Sequence, residues 1–320
     1  MAHERHNQPG VLIHEIASDK NSGAAEILRL AGEVFKLLTA EGSALNATVE
    51  GAQQTVLALC IALARAKPEM SPLLRLTSVV VAASRTATNA KRVLELAEQA
   101  AYEFVDGAKR ANRRTAVHAA RTIGFDSRVL TLSRSSTVLA AFVESQRAGN
   151  RFSVIATESR PGLEGRTLAD ELRRHHISVT LIADAAASLA MDQVDLVLLG
   201  ADRITPQNVV NKIGTRMVTL AARERGLGVH VVCDTSKFII ADYFVNSSAD
   251  DGGAEELWPE LPEGIGVLNR YFEATPLSYF SSIITEDGPI SIEEAALLAE
   301  KASIDQALIE GFEKLGREIK

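Results

Sequence analysis

The chain has 320 residues, 46% of them hydrophobic and 23% charged, which sets a soft expectation of two globular domains and excludes disordered, collagen-like and low-complexity classes. With 34 Lys+Arg against 41 Asp+Glu the net charge is -7, so the surface as a whole gives no electrostatic reason to bind nucleic acid or an anionic membrane. Two cysteines, Cys60 and Cys233, provide neither a disulfide framework nor a cysteine zinc site. The polar start lacks a signal peptide's apolar stretch, and the most apolar segment, 56–64, is far short of the roughly 20 residues of a membrane span. A cytoplasmic location is the expectation.

In chain order, residues 1–20 read as an irregular start. A helix follows from Ser22, with an apolar stripe of Ile27, Leu30, Ala31, Val34, Leu37 and Leu38 and a stop at Gly42. A second helix over 49–66 ends before Pro68, because the residue before proline avoids helical angles. Helical pattern continues over 73–85 and 87–121, and no alternating strand precedes residue 125. Near Gly124 the rhythm changes. Short β-branched runs at 128–132, 152–156, 178–182, 194–199, 228–233 and 282–285 alternate with helical patterns at 136–148, 166–176, 184–191, 209–225 and 291–317. Apolar runs of this length between helices describe buried parallel strands. The expected architecture is an all-helical domain over 1–122 followed by a Rossmann-like, doubly wound α/β domain over 123–320. Ligands of such sheets sit outside the carboxyl ends of the strands.

Those ends carry LTLSRSST (130–137), TESRPGLEGR (157–166), GADRI (200–204) with NKIGT (211–215), and CDTSKF (233–238). Arg134, Arg160 and Lys212, together with serine and threonine hydroxyls and helix N-termini near Ser133 and Lys212, make a local anion site in an acidic protein, and phosphate suits it. Asp202 beside such a site needs a reason, such as accepting a sugar hydroxyl or moving a proton. Taken singly, each feature has an ordinary structural explanation: a helix cap at 133–137, a turn arginine at 160, an adjacent ion pair at 202–203, a solvated helix start at 211–212. Cys233 and Cys60 read as buried thiols, His175–His176 as a helix end, and 250–263 as a surface loop anchored by Trp258. No GxGxxG, P-loop or metal-binding spacing occurs, which disfavours a nucleotide-dependent dehydrogenase or kinase.

GADRI, NKIGT and ESRPGLEGR, with AKPEMSPLLRL (66–76), ELW (256–258), FEATP (272–276) and IITEDG (283–288), resemble one superfamily. It is shared by the α, β and δ regulatory subunits of translation initiation factor 2B and by aldose-phosphate isomerases acting on 5-methylthioribose 1-phosphate or ribose 1,5-bisphosphate. The resemblance spans most of 65–290. It implies a helical domain joined to a Rossmann-like one, a sugar-phosphate pocket between them, and a homodimer or larger assembly, with other initiation-factor subunits as further candidate partners. Its ligand would be a phosphorylated sugar or nucleoside monophosphate; no cofactor, metal, nucleic acid or membrane is expected.

Carried over, Arg160, Asn211 and Lys212 fall where the isomerases hold substrate, and Asp202 falls on their catalytic acid/base. The isomerase cysteine, in a Leu-Thr-His-Cys-type sequence, is replaced by Ser133, and Leu132 replaces the preceding histidine. Ser133–Arg134–Ser135 is similar to a Ser-Arg element of the regulatory subunits. A serine hydroxyl, unlike a thiol, is not tuned to ionise near neutral pH without an adjacent base. Two functions stay open: a sugar-phosphate-binding protein of the initiation factor 2B type, and an aldose 1-phosphate to ketose isomerase using Asp202 with Ser133 or a water.

Overall fold

A computed structural model describes residues 8–19, 22–40, 48–240 and 252–318. The chain divides into two compact units, one of residues 1–109 with 302–320 and one of residues 110–301.

The described part of the first unit is helical. Helix α1 (Pro9–Ser18) starts on a proline suited to the first turn, where its missing N–H costs nothing, so the expected irregular start contains a helix. Helix α2 (Ala24–Ala40) buries Ile27, Leu28, Ala31, Val34, Phe35 and Leu38. The apolar stripe is therefore rotated from the expected one, with Leu28 and Phe35 inward in place of Leu30 and Leu37. The expected stop at Gly42 lies outside the described residues. Thr48 caps α3 (Val49–Ala66) by accepting the Gly51 N–H at 3.1 Å. Helix α4 (Ser71–Ser84) again begins with an early proline, Pro72. The 31-residue α5 (Ala90–Ala120) carries the boundary between the units, at 109/110.

The second unit is built on strands β1 (Ser127–Thr131), β2 (Phe152–Thr157), β3 (Ser178–Ile182), β4 (Leu196–Leu199), β5 (Arg203–Ile204), β6 (Asn208–Lys212), β7 (Val229–Val232), β8 (Phe272–Pro276), β9 (Ser282–Thr285) and β10 (Gly288–Ile290). Its helices are the last turns of α5, then α6 (Ser136–Arg147), α7 (Glu164–Arg174), the short α8 (Ala187–Ala190), α9 (Thr215–Glu224) and α10 (Ile292–Lys301). The main sheet has the order β10-β9-β7-β4-β1-β2-β3, parallel except for β10. The chain passes from β1 to β2 and β3 on one side, then to β4 and β7 on the other, so the topological switch lies between β1 and β4. Val129, Val154, Ala156, Leu198, Val232 and Ile284 line one face, buried against Ala116, Ala119, Phe142, Leu168 and Leu172 of α5, α6 and α7. Leu130, Ile155, Val197, Val231 and Ile283 alternate onto the other face and are buried too. Both faces are covered over the middle of the sheet, as its unbroken apolar runs require. The run 178–182, expected to be buried as well, is not: β3 is the sheet's edge strand, its residues are exposed or half-buried, and Leu181 is 43% exposed.

Two expectations are corrected here. Residues 209–225 are not one helix: Asn208–Lys212 form β6, which pairs antiparallel with β5 and with β8 in a second, three-stranded sheet. Val209 and Val210 are β-branched, which favours a strand, and the helix waits for Gly214. The C-terminal helical pattern is also broken, into α10 and a separate α11 (Gln306–Glu318) that packs on α3 and α4 with Leu308 buried. The structure thus groups the end of the chain with the helical unit, whereas the expectation left all of 123–320 with the sheet.

Candidate functional site

The rim of the second unit is formed where β1, β2, β4 and β7 end side by side. At the switch, Gly200 after β4 lies against Ser135 after β1: a Cβ at 200 would stand 2.7 Å from that of Ser135. Only a residue without a side chain allows the two turns this approach. Ser133 (φ +63°), Ser159 (φ +63°) and Leu163 (φ +61°) hold left-handed angles uncommon outside glycine, and all three lie in these loops.

The hydrogen bonds of the rim are largely internal. Ser135 caps α6 by accepting the Val138 N–H at 3.3 Å. The Ser133 N–H donates to Ser159 Oγ at 2.7 Å. The N–H groups of Ser159 and Arg160 both donate to the Asp184 carboxylate, each at 2.8 Å. The N-terminus of α9, expected to attract a ligand anion, is taken by Glu273, whose Oε1 accepts from the Gly214 N–H at 2.7 Å and the Arg216 N–H at 2.9 Å.

Each expected cation has a definite place. Arg134 makes a two-pronged pair with Glu171, both bonds 2.8 Å, and the pairing raises its already high pKa. Arg160 is exposed, and its guanidinium donates to the Leu257 carbonyl at 3.3 Å. Lys212, at the end of β6, is only 3% exposed; its Nζ lies 2.7 Å from Glu164 Oε1 and 5.3 Å from the Tyr271 ring centre. Asn211 is buried beside it and donates to Thr215 Oγ1 at 2.9 Å. Lys212 and Asn211 are thus buried strand residues rather than a solvated helix start.

Asp202 follows β4, and its N–H donates to the Val210 carbonyl at 3.0 Å. Burial pushes its carboxyl above the ordinary range; Lys237, Arg203 and Lys212 pull it back, and Glu164 pushes it further up. The structure therefore gathers Asp202, Lys212, Lys237, Arg203 and Glu164 into one electrostatic neighbourhood. Arg134 and Arg160 are engaged elsewhere. A carboxyl held above its normal value among buried cations can give and take a proton closer to neutral pH than a free aspartate.

Sequence reasoning missed Glu164, Lys237 and Tyr271. Glu164 and Lys237 lie within the quoted motifs, but an acid among basic residues offers no signal of which cation it will meet. Glu164 is set at the first position of α7 because Gly165 lets that turn press onto β2; a Cβ at 165 would lie 1.7 Å from the Thr157 carbonyl oxygen. The loop expected to hang on Trp258 does not: that ring is 49% exposed. Its anchors are Tyr271, whose hydroxyl donates to Glu256, and Asn269, which donates to the Gly253 carbonyl at 2.9 Å. Burial raises the Cys233 thiol well above its usual value, so it stays protonated. Among the described residues no group of three or more His, Cys, Asp or Glu could hold a metal ion, and no helix is long and apolar enough to cross a membrane.

Residues 20–291 match the profile of the initiation factor 2 subunit family. A ribose 1,5-bisphosphate isomerase of Archaeoglobus fulgidus is 32% identical over 290 residues, covering 89% of this chain and 90% of that protein. Among solved structures, the Pyrococcus horikoshii translation initiation factor eIF-2B superposes with a TM-score of 0.75 at 26% identity, over 88% of this chain and 96% of its own. The 5-methylthioribose 1-phosphate isomerase of the same organism shares the fold, with a TM-score of 0.71 at 23% identity over 92% and 88% of the two chains.

Proposed function

This chain belongs to the initiation factor 2 subunit family, and from that premise we propose that its α/β unit binds a phosphorylated sugar at the rim around Lys212 and Asp202. The observation that carries the reading is the burial of Lys212 at a strand end beside Asp202, with Lys237 and Arg203 acting on the same carboxylate. Buried cations are costly unless they meet anions, and concentrating them here fits a site whose ligand brings negative charge. In this reading Lys212 takes the phosphate, Asn211 and Thr215 fix the turn behind it, and Arg160, Arg134 and Ser135 belong to the surrounding loops. Calorimetry with ribose 1,5-bisphosphate and 5-methylthioribose 1-phosphate tests it. Lys212→Ala should weaken binding by about 1.5–3 kcal/mol, the range for hydrogen bonds to charged groups. Unchanged affinity in that variant would remove Lys212 from the site.

A second reading, aldose 1-phosphate to ketose isomerisation, is favoured by the raised Asp202 carboxyl and by the name of the Archaeoglobus relative. The conversion moves hydrogen from C2 to C1, takes the proton from the C2 hydroxyl and returns one to the ring oxygen as the ring opens. Asp202 is suited to one of these proton transfers, and Ser133 or a water would have to serve the other. Positioned acid–base groups contribute about 10²–10⁴-fold each, so Asp202→Asn should abolish any turnover. The double change Leu132→His, Ser133→Cys should raise it. Ketose followed by NMR decides between the readings: no product from the parent or the double variant leaves binding alone.

The same premise carries a homo-oligomer, alone or with other initiation-factor subunits, in the cytoplasm. Exposed Met217 and Leu220 on α9 and Leu297 and Leu298 on α10 support it by offering apolar surface. Light scattering that gives only monomer at micromolar concentration would contradict it.

A further inference from the structure

Glu164 has no part in the phosphate reading given above, yet its carboxylate stands on the cation to which that reading gives the phosphate. Its Oε1 lies 2.7 Å from Lys212 Nζ, and the lysine is almost wholly buried, so little else can reach that ammonium while Glu164 is in place. Its other oxygen, Oε2, is buried and has no hydrogen-bond partner among the described residues. A carboxylate serving only to neutralise Lys212 would normally have both oxygens satisfied, because an unmet buried acceptor costs free energy. Glu171 on Arg134 meets that standard, with both oxygens bonded.

We propose that Glu164 is a resident counter-anion of the phosphate seat, which an incoming phosphate must displace from Lys212. The inference rests on the phosphate-binding reading of Lys212. The exchange is favourable on electrostatic grounds. A phosphomonoester dianion brings more charge and more acceptor oxygens to the three-donor ammonium than a single carboxylate does. The departing Glu164 gives up one hydrogen bond, not two. Glu164 is the first residue of α7, preceded by Leu163, which offers no side-chain cap, so the carboxylate can turn away without unravelling an interior turn. In the ligand-free protein the pair spares Lys212 the cost of standing buried and alone. The consequence is affinity set by competition: the seat is filled only by ligands that outbid the protein's own acid.

Calorimetric titration of ribose 1,5-bisphosphate into five proteins, the parent, Glu164→Gln, Glu164→Asp, Lys212→Ala and the double variant Lys212→Ala, Glu164→Gln, tests this. Competition for one cation is a reciprocal linkage, for which factors of about 5–150 are typical. Glu164→Gln should therefore bind the bisphosphate at least about fivefold more tightly than the parent. Glu164→Asp, which keeps the charge but draws it back by one methylene, should also gain, by less; it serves equally if the glutamine variant does not fold. In a Lys212→Ala background, Glu164→Gln should change nothing. Equal or weaker binding by both Glu164 variants, with Lys212→Ala still losing affinity, overturns the counter-anion and leaves the phosphate seat standing. Lys212→Ala with unchanged affinity overturns both.

Discussion

Arg134, in the turn after β1, and Lys212, at the end of β6, each meet a glutamate, but the two pairs are built differently. Arg134 and Glu171 face each other fork to fork, at about a quarter exposure, with every carboxylate oxygen used. Lys212 and Glu164 touch through one bond, the lysine buried and one glutamate oxygen left over. A complete pair near the surface ties α7 to the turn after β1 and has nothing further to offer. An incomplete pair in a protected place holds charge in readiness. The difference separates two cations that the sequence presents alike.

Breaking the buried pair should give the largest stability effect. Lys212→Ala strands the Glu164 carboxylate, and losing one partner of a buried ion pair costs about 3–5 kcal/mol. Urea unfolding should place the variant that far below the parent, whereas a loss under 1 kcal/mol would mean that water already reaches the pair.

Asp202→Asn comes next and carries a sign. The folded carboxyl has a pKa raised above its ordinary 3.8, so folding favours the protonated form. The stability this contributes is fully present below about pH 3.8 and is lost as pH rises through the folded value. Measured against Asp202→Asn, which has no charge to bury, the parent should lose ground as pH rises above about 3.8, until the folded carboxyl is fully ionised. A gap that does not vary with pH would place Asp202 in contact with water.

Ser135→Ala removes the α6 cap and should cost about 1 kcal/mol, seen as a lower urea midpoint with unchanged slope. Smallest is Arg134→Ala. Its pair is partly exposed and should be worth about 0.2–1 kcal/mol, and sugar-phosphate affinity should not move. A marked affinity loss there would erase the distinction between the two cations.

The six parallel strands and helices α2 to α5 were legible because apolar spacing reports where an element lies. The faces were less so: α2 buries a rotated stripe and edge strand β3 is not buried, while α1 and α11 escaped as separate helices. β6 escaped because Asn208–Lys212 runs without a break of composition into the α9 pattern, and its partners β5 and β8 are distant or very short. At the rim, Asp202, Asn211 and Lys212 stand near one another as their motifs suggest. Glu164 and Lys237 did not declare themselves, since only the folded chain brings residues 164, 202, 212 and 237 from separate loops and elements into one neighbourhood. The Trp258 anchor failed for a plainer reason: a lone aromatic in an acidic loop need not find a core, and the loop is held by polar bonds from Tyr271 and Asn269 instead.

The return of α11 to the helical unit bears on the order in which the molecule can be made. Residues 302–318 leave the ribosome after the whole of 110–301, yet they pack on α3 and α4, which emerge before it. The sheet of the second unit has all its strands once residue 290 is out, while the earlier unit still lacks the helix that covers α3. A nascent chain held at that length therefore presents a sheet free to close and a helical bundle with one face open. For that interval the older part of the chain is the one exposed to chaperones and to unwanted partners.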